Sequence, residues 1–447
     1  MKTFLDWSAY DTYGMGDAYS GIPATGGNYA KAVAVCMHSR DCQHEGKGVM
    51  CPSYRITGDR AHSTEARVAS FKAALNGEYG DKSFDDPRLA ESMDLCVSCK
   101  ACKKECPSSV DMTLIKTEYL AQRHEIMGVP RRTCIFGGLP HWAGRYRGLL
   151  RLMIKLRNSS AALAKLAESW FGITSRRPLP ALAPKAFSGA AVSGEGERGE
   201  VILFVDTFCH HFDPEIAEAA TTILTTAGYK VRIAKPAPDD AEPDRPLCCG
   251  RTFLTTGMVE SARHEGKRVL AAFRSEIENK TPIIGLEPSC LLSLRDELYS
   301  MGLGAEVGDL GKQLYLLEEF LVREHTRGLR LPLKPLNLPK ALLHGHCHQK
   351  AFGVMKATRK VLTWIPEFKF DLIESSCCGM AGSFGLEAEH YDASLKMAEI
   401  SLLPAVRAEA EAPIIANGFS CRHQIEHGAG RPSRHIALLL RDALAVG

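Results

Sequence analysis

Cys96, Cys99, Cys102 and Cys106 fall at spacings of three, three and four residues, and Pro107 closes the run. Three thiolates this close can hold three corners of an iron–sulfur cube. In a C-x2-C-x2-C-x3-C-P run the fourth cysteine ligates a second cluster. Such a run is one half of a pair, and the other half lies upstream in Cys36, Cys42 and the Cys51–Pro52 step. In a two-cluster arrangement Cys51 joins Cys96, Cys99 and Cys102, while Cys106 joins Cys36 and Cys42. The upstream half lacks its middle cysteine, and Ser39 stands there. That centre is either a 3Fe–4S cluster on three thiolates or one that takes a fourth ligand from His38, Ser39, Asp41 or His44. Structural zinc competes for C-x2-C motifs, but it takes separated pairs and not an unbroken run. Lys100, Lys103 and Lys104 lie between the ligands, either offsetting cluster charge or forming a solvated face.

Eight further cysteines form two matched sets. Cys209, Cys248, Cys249 and Cys290 recur as Cys347, Cys377, Cys378 and Cys421, at offsets of 138, 129, 129 and 131 residues. Each set contains a CCG triplet. The offset mismatch falls in "AKPAPDDAEPDRP", a polar, proline-rich insertion of the first copy that is expected in a loop. Soft thiolates select iron–sulfur chemistry, zinc or Cu(I). Two matched sets favour metal binding over simple burial of thiols. His210, His211, His344, His346, His348 and His423 flank these cysteines. They read as hydrogen-bonding neighbours of sulfur, and no residue is assigned a catalytic role. Cys134 stands outside the clusters and reads as a buried thiol.

The elements that must position these thiols follow from the apolar patterning. "EVILFVDTFC", "TPIIGLEPSC", "KALLHGHC", "FKFDLIESSCC" and "APIIANGFSC" are short β-branched runs that each end on a cysteine, with helical patterns between them. Strands alternating with helices predict a parallel sheet, and ligands gather beyond the carboxyl ends of such strands. Upstream, "DMTLIKTEYLAQRHEIMG" predicts a helix ending at Gly128.

Five segments result: an extended arm over 1–30, a helical cysteine-bearing segment over 31–128, a basic connector over 129–198, and the two repeats over 199–330 and 331–447. The second half of the connector is rich in Pro, Gly and Ala and predicts a linker. Between Val129 and Lys185 there are eleven Lys or Arg against one acid, Glu168. Within it Leu149, Leu152, Met153 and Leu156 share a helical face. That face is expected to pack on the protein's own core, with peripheral contact to an anionic membrane as the competing expectation. No secretory leader and no membrane span is legible, so a cytoplasmic protein is expected, at most peripheral on the inner membrane. The 16 cysteines then serve some purpose other than disulfides. No basic patch interleaved with aromatics argues for nucleic acid.

"MCPSYRITGDRAHSTEAR", "CVSCKACKKECPSSVDM", the two CCG repeats, "GLEPSC" and "GFSCRHQ" together resemble the iron–sulfur part of FAD-linked 2-hydroxyacid dehydrogenases. That group includes the glycolate oxidase iron–sulfur subunit and D-lactate dehydrogenases. The resemblance extends more remotely to heterodisulfide reductase subunits and to the anaerobic glycerol-3-phosphate dehydrogenase iron–sulfur subunit. It covers about residues 31–447. It implies an α plus α/β fold: an all-helical ferredoxin domain followed by two related cysteine-rich domains. It implies two ferredoxin-type clusters, with one or more further clusters in the CCG domains. It also implies a separate FAD-carrying partner chain and a quinone or cytochrome acceptor, since no flavin-binding stretch is legible here. The alternative is disulfide reduction at the CCG site. Against it, Glu287 and Gly418 stand where the heterodisulfide reductase type has an additional cysteine. "STEAR" replaces an STRGR-like run of the relatives.

Overall fold

The computed structural model describes residues 1–13, 21–44, 46 and 48–445. The part of the expected arm at residues 14–20 lies outside these. The rest of the arm packs against the body of the protein. Leu5 and Trp7 are buried, and Glu118 accepts hydrogen bonds from the Phe4 and Leu5 amides and from the Trp7 indole.

The N-terminal domain is helical. It runs through α1 (Gly27–Ala34), α2 (Pro52–Thr57), α3 (Thr64–Leu75), α4 (Pro87–Asp94), α5 (Ala101–Glu105) and α6 (Met112–Met127). Local chemistry sets the helix starts. Ser63 caps α3, Asp86 with Pro87 opens α4, and the Asp111 carboxylate accepts from the Leu114 amide to start α6. Gly128 ends α6 with a positive φ, as its position in the pattern predicts. Tyr29, Phe71 and Tyr119 stack edge to face at the centre of this domain.

The basic connector begins with α7 (Arg131–Gly137), α8 (Leu139–Arg145), α9 (Arg147–Ser159) and α10 (Ala161–Phe171). The residues after α10, expected as a linker, are no free tether. Arg157 donates to the carbonyls of Thr174 and Arg177, the amides of Ala183 and Phe187 donate to His211 and His210, and Val192–Ser193 forms an edge strand. The apolar face of α9 differs from the core-packed expectation. Ile154 and Arg157 face inward, whereas Leu149, Leu152, Met153 and Leu156 are at least half exposed.

Two parallel sheets follow. The first has the order β1-β3-β2-β4-β5, from β1 (Val192–Ser193), β2 (Glu200–Phe204), β3 (Lys230–Ile233), β4 (Ile283–Gly285) and β5 (Leu314–Leu316). Only β1 runs antiparallel. The second has the order β7-β6-β8, from β6 (Ala341–His344), β7 (Phe370–Leu372) and β8 (Ile414–Ala416), all parallel. The central strands are apolar on both faces, as a sheet covered by helices requires. The insertion of the first repeat carries no strand or helix between β3 and Arg251. One core runs through both repeats. Ala217 and Ile223 on the helix Pro214–Thr226 pack with Ile436 and Leu440 on the helix Ile436–Ala443.

Candidate metal centres

All sixteen thiols are free. Each cysteine of the repeats that was expected at a strand end lies a few residues further on. Cys209, Cys290, Cys347 and Cys421 sit in the first turns of the helices Thr207–His211, Pro288–Arg295, Cys347–Ala351 and Phe419–Ala429. Each helix follows its strand directly, so the sulfurs still gather at the carboxyl edge of the sheet. Gly250 and Gly379 after the CC pairs adopt positive φ; a Cβ at Gly379 would meet the Ser394 carbonyl at 2.2 Å, and one at Gly250 would crowd Ala262.

Cys51, Cys96, Cys99 and Cys102 line one small cavity, although Cys51 is far from the others in sequence. Arg67 lines it too. Its side chain is buried, with Nε donating to the Ser92 carbonyl at 2.8 Å, Nη2 to Ser53 Oγ at 2.8 Å and Nη1 lying 3.5 Å from Cys51 Sγ. Burial alone would raise the Cys51 pKa, but the Arg67 charge together with hydrogen bonds from Ser53, the Tyr54 amide and Arg67 outweighs it and holds the thiol below its ordinary value. Arg67 is the last residue of "STEAR", so this run supplies a buried countercharge. Cys99 has no such neighbour, and burial holds its thiol well above the ordinary value.

Cys36 and Cys42 interact with each other, and Cys36 also with Cys106. Of the expected alternatives for a fourth ligand, His38 is engaged by Glu65 at 2.9 Å, and Ser39 and His44 are exposed. Asp41 lies 3.8 Å from His44. The lysines between the ligands are not equivalent. Lys100 is buried and paired with Asp111, Asp296 and Glu297, Lys103 shares Asp111 and Asp296, and Lys104 is exposed. The solvated-face reading holds for Lys104 alone.

A cleft of about 790 Å³ opens where the helical domain meets both repeats. Cys248, Cys249 and Cys290 line one side, with Cys347, Cys377 and Cys378 on the other, and Cys96 at the helical domain. Cys209 and Cys421 lie outside its lining. In the second repeat Cys377 interacts with Cys347 and Cys378, and Cys421 with Cys378 and Cys347. In the first repeat Cys249 interacts with Cys248 and Cys290, while the dominant charged neighbour of Cys209 is Asp206. Burial, reinforced by Asp206, pushes the Glu287 carboxyl up to about 7.

The histidines divide. His344 Nδ1 meets Ser375 Oγ at 3.0 Å, and its Nε2, without a nitrogen or oxygen partner, faces Cys378. His348 instead reaches the Ser98 carbonyl at 3.3 Å. The rings of His210 and His211 lie tilted against each other, and His423 meets Phe419 edge to face. Cys134 is half-buried, less enclosed than expected.

The thiol sets of the dicluster segment and of the second repeat fit iron–sulfur ligation. Buried sulfurs converge, and buried cationic groups lie beside them, one of them with unpaired nitrogens. This is Arg177: its guanidinium lies near Cys378 and the Met380 sulfur, and Nε and Nη2 are unpaired. Arg67, Arg177 and the buried state of Lys100 carry no signal in a single sequence. A separate group, Glu387, Glu389 and His390, has metal-like spacing but is already engaged, by Arg132 at both glutamates and by Asp94 at His390.

Residues 32–110 match the 4Fe-4S dicluster domain, and residues 207–295 match the cysteine-rich domain. The chain is thus an iron–sulfur protein that joins a dicluster domain to a CCG unit. It is similar to one subunit of the anaerobic glycerol-3-phosphate dehydrogenase of Escherichia coli (strain K12), at 25% identity over 66% of this chain and 72% of the relative. It is also similar to the D-2-hydroxyglutarate dehydrogenase of the same organism, at 21% identity over 90% of this chain but only 42% of that longer protein. Lactate utilization protein A of Bacillus subtilis (strain 168) is 22% identical over 54% of this chain and 96% of the relative.

Proposed function

We propose that the chain is the electron-carrying subunit of a multi-subunit FAD-linked dehydrogenase of the glycolate or D-lactate type. In this reading a separate chain carries the flavin and oxidises the hydroxyacid, and a quinone or cytochrome is the acceptor. One observation carries the reading: the thiol sets adjoin one another in series. Cys42 of the first set neighbours Cys51 of the second, and Cys99 of the second neighbours Cys347 of the repeats. Bound iron–sulfur clusters supply one-electron centres, which suits a chain receiving the electrons of a reduced flavin singly.

The protein's own residues shape that series. Arg67 holds a fixed positive charge against Cys51. The Val49 and Met50 amides donate to Glu105, and Ser376 Oγ donates to the Val49 carbonyl at 2.6 Å. These bonds tie the Cys51 loop to the strand of chain that leads into Cys377. Burial keeps water from most of the sulfurs. Disulfide reduction is disfavoured at the second repeat, because a side chain at Gly418 would meet the His346 ring at 2.3 Å.

The test is anaerobic purification of the tagged chain from its native host. A yellow flavoprotein should co-purify, and adding a 2-hydroxyacid should bleach the visible absorption of this chain. Recovery of the chain without a flavoprotein, reducing disulfides from a dye by itself, would overturn the reading.

The outward apolar stripes of α9 and α10 support a quinone acceptor. We place these helices on an anionic membrane surface. Leu163, Leu166 and Trp170 continue the exposed face begun by Leu149 and Leu152, and Arg151, Lys155 and Lys165 beside them form no ion pair among the described residues. On the inner side, Ile154 packs with Phe212 and Phe419, and Phe419 lines the cleft beside the CCG sulfurs.

A further inference from the structure

The two repeats differ in charge at matching positions, each pairing a charged residue with a neutral one. Counting from Cys209 and Cys347, Asp206 matches His344, and Phe212 matches Lys350. Counting from Cys290 and Cys421, Glu287 matches Gly418. The first repeat therefore sets two acids beside Cys209 and Cys290, and Glu287 also faces Cys421 of the second. Asp206 caps the helix that bears Cys209, accepting from the Phe208 and Cys209 amides at 2.9 and 3.2 Å, and its Oδ2 is buried without a partner. Glu287 accepts from the Phe419 amide at 2.8 Å and from Ser289 Oγ at 2.7 Å. Arg422 faces both Cys209 and Glu287, but its guanidinium is bonded to Asp213 at 2.5 Å.

The second repeat surrounds its sulfurs with cations. Lys350 Nζ donates to the Ser375 and Ser376 carbonyls at 2.6 and 3.2 Å, has no carboxylate partner among the described residues, and interacts with all four thiols. Arg177 lies beside Cys378 with two nitrogens unpaired. The cysteines of this set are linked through Cys347 and Cys378, which each interact with both Cys377 and Cys421, whereas the largest charged neighbour of Cys209 in the first set is Asp206.

An iron–sulfur cluster on four thiolates carries net negative charge, and its stability and potential depend on nearby charge and hydrogen bonds. Buried carboxylates beside a site oppose that charge, and cations without carboxylate partners beside a site offset it. We propose that the two repeats are unequal: Cys347, Cys377, Cys378 and Cys421 hold the cluster of this pair, and the Cys209, Cys248, Cys249 and Cys290 set holds none. This rests on the electron-carrier reading and makes the second repeat its terminal centre, next to Cys99.

The test counts iron and acid-labile sulfide in the full chain purified anaerobically, with low-temperature EPR of the reduced protein. Cys378→Ala should lose about four irons per chain and one cluster's signal. Cys249→Ala should keep the wild-type iron content and spectrum. Loss of iron from Cys249→Ala, or full iron in Cys378→Ala, overturns the proposal. Lys350→Met guards against a misfolded cysteine variant. It should leave the cluster count unchanged and move one signal to more negative potential in a redox titration, and signals that all stay fixed count against the second repeat. Wild-type protein with iron for the dicluster domain alone would sink this inference and leave the electron-carrier reading standing. Protein with no iron would sink both.

Discussion

Lys100 Nζ lies 2.5 Å from Asp296 Oδ2, joining the loop between two cluster ligands to the first repeat. Glu297 at 3.3 Å and Asp111 at 3.4 Å complete the ring. Burial alone would lower the lysine's pKa, but these carboxylates outweigh it and hold it well above its ordinary value. Removing one member of a buried ion group leaves the others uncompensated, at a cost of about 3–5 kcal/mol. Lys100→Met should therefore lower the urea midpoint markedly. Lys104→Met, at an exposed position, should leave it within about 0.5 kcal/mol of the wild type.

Ligand sets that cross in sequence make a sharp prediction for single cysteines. Cys51→Ala and Cys99→Ala should abolish the same EPR signal, because both sulfurs line one cavity. Cys106→Ala should abolish a different one, although Cys106 is only four residues from Cys102, because its thiol neighbour is Cys36. Loss of a single common signal in all three variants would refute the crossed arrangement.

Sequence and structure agree where spacing encodes chemistry. The cysteine runs, the repeat and the helix ending at Gly128 are legible because local geometry forces them. Countercharges are not. Arg67 lies in a polar stretch, and its burial depends on Ser92 and Ser53 arriving from other elements. Lys100 looks solvated until Asp296 closes over it. The stripe on α9 shows which residues share a face but not which way the face turns, since either face of an amphipathic helix can be the covered one. The linker composition likewise hides the hydrogen bonds that hold residues 174–187 down.

His390 sits between Asp94 of the helical domain and Glu387 of the second repeat, 2.8 Å from each. Burial works against its charge, but the two carboxylates prevail and raise its pKa to about 9. The folded value exceeds the ordinary value near 6.5. Its stabilising contribution is therefore complete below about pH 6.5 and fades as pH rises through about 9. The melting temperature of the wild type should exceed that of His390→Gln at pH 6 and converge on it by about pH 10. A difference that grows with pH would contradict the clamp.

The outward face of α9 and α10 predicts lipid binding that depends on both charge and apolar contact. Trp170 is 69% exposed and Leu149 58%, far more than isolated core-type residues need be, and the flanking cations have no acidic partners among the described residues. Among the described residues no helix is long and apolar enough to cross a bilayer, and the contact proposed for this face is interfacial. Wild-type chain should sediment with phosphatidylglycerol vesicles, bind weakly to phosphatidylcholine vesicles, and release in high salt. Replacing Leu152 and Leu156 by Asp removes about 2–3 kcal/mol of apolar burial at the surface, which weakens partitioning more than tenfold. The EPR spectrum should be unchanged, because neither side chain reaches the sulfurs. If the wild type ignores anionic vesicles and instead forms a dimer that the double variant disrupts, this face is a protein interface and the membrane assignment fails.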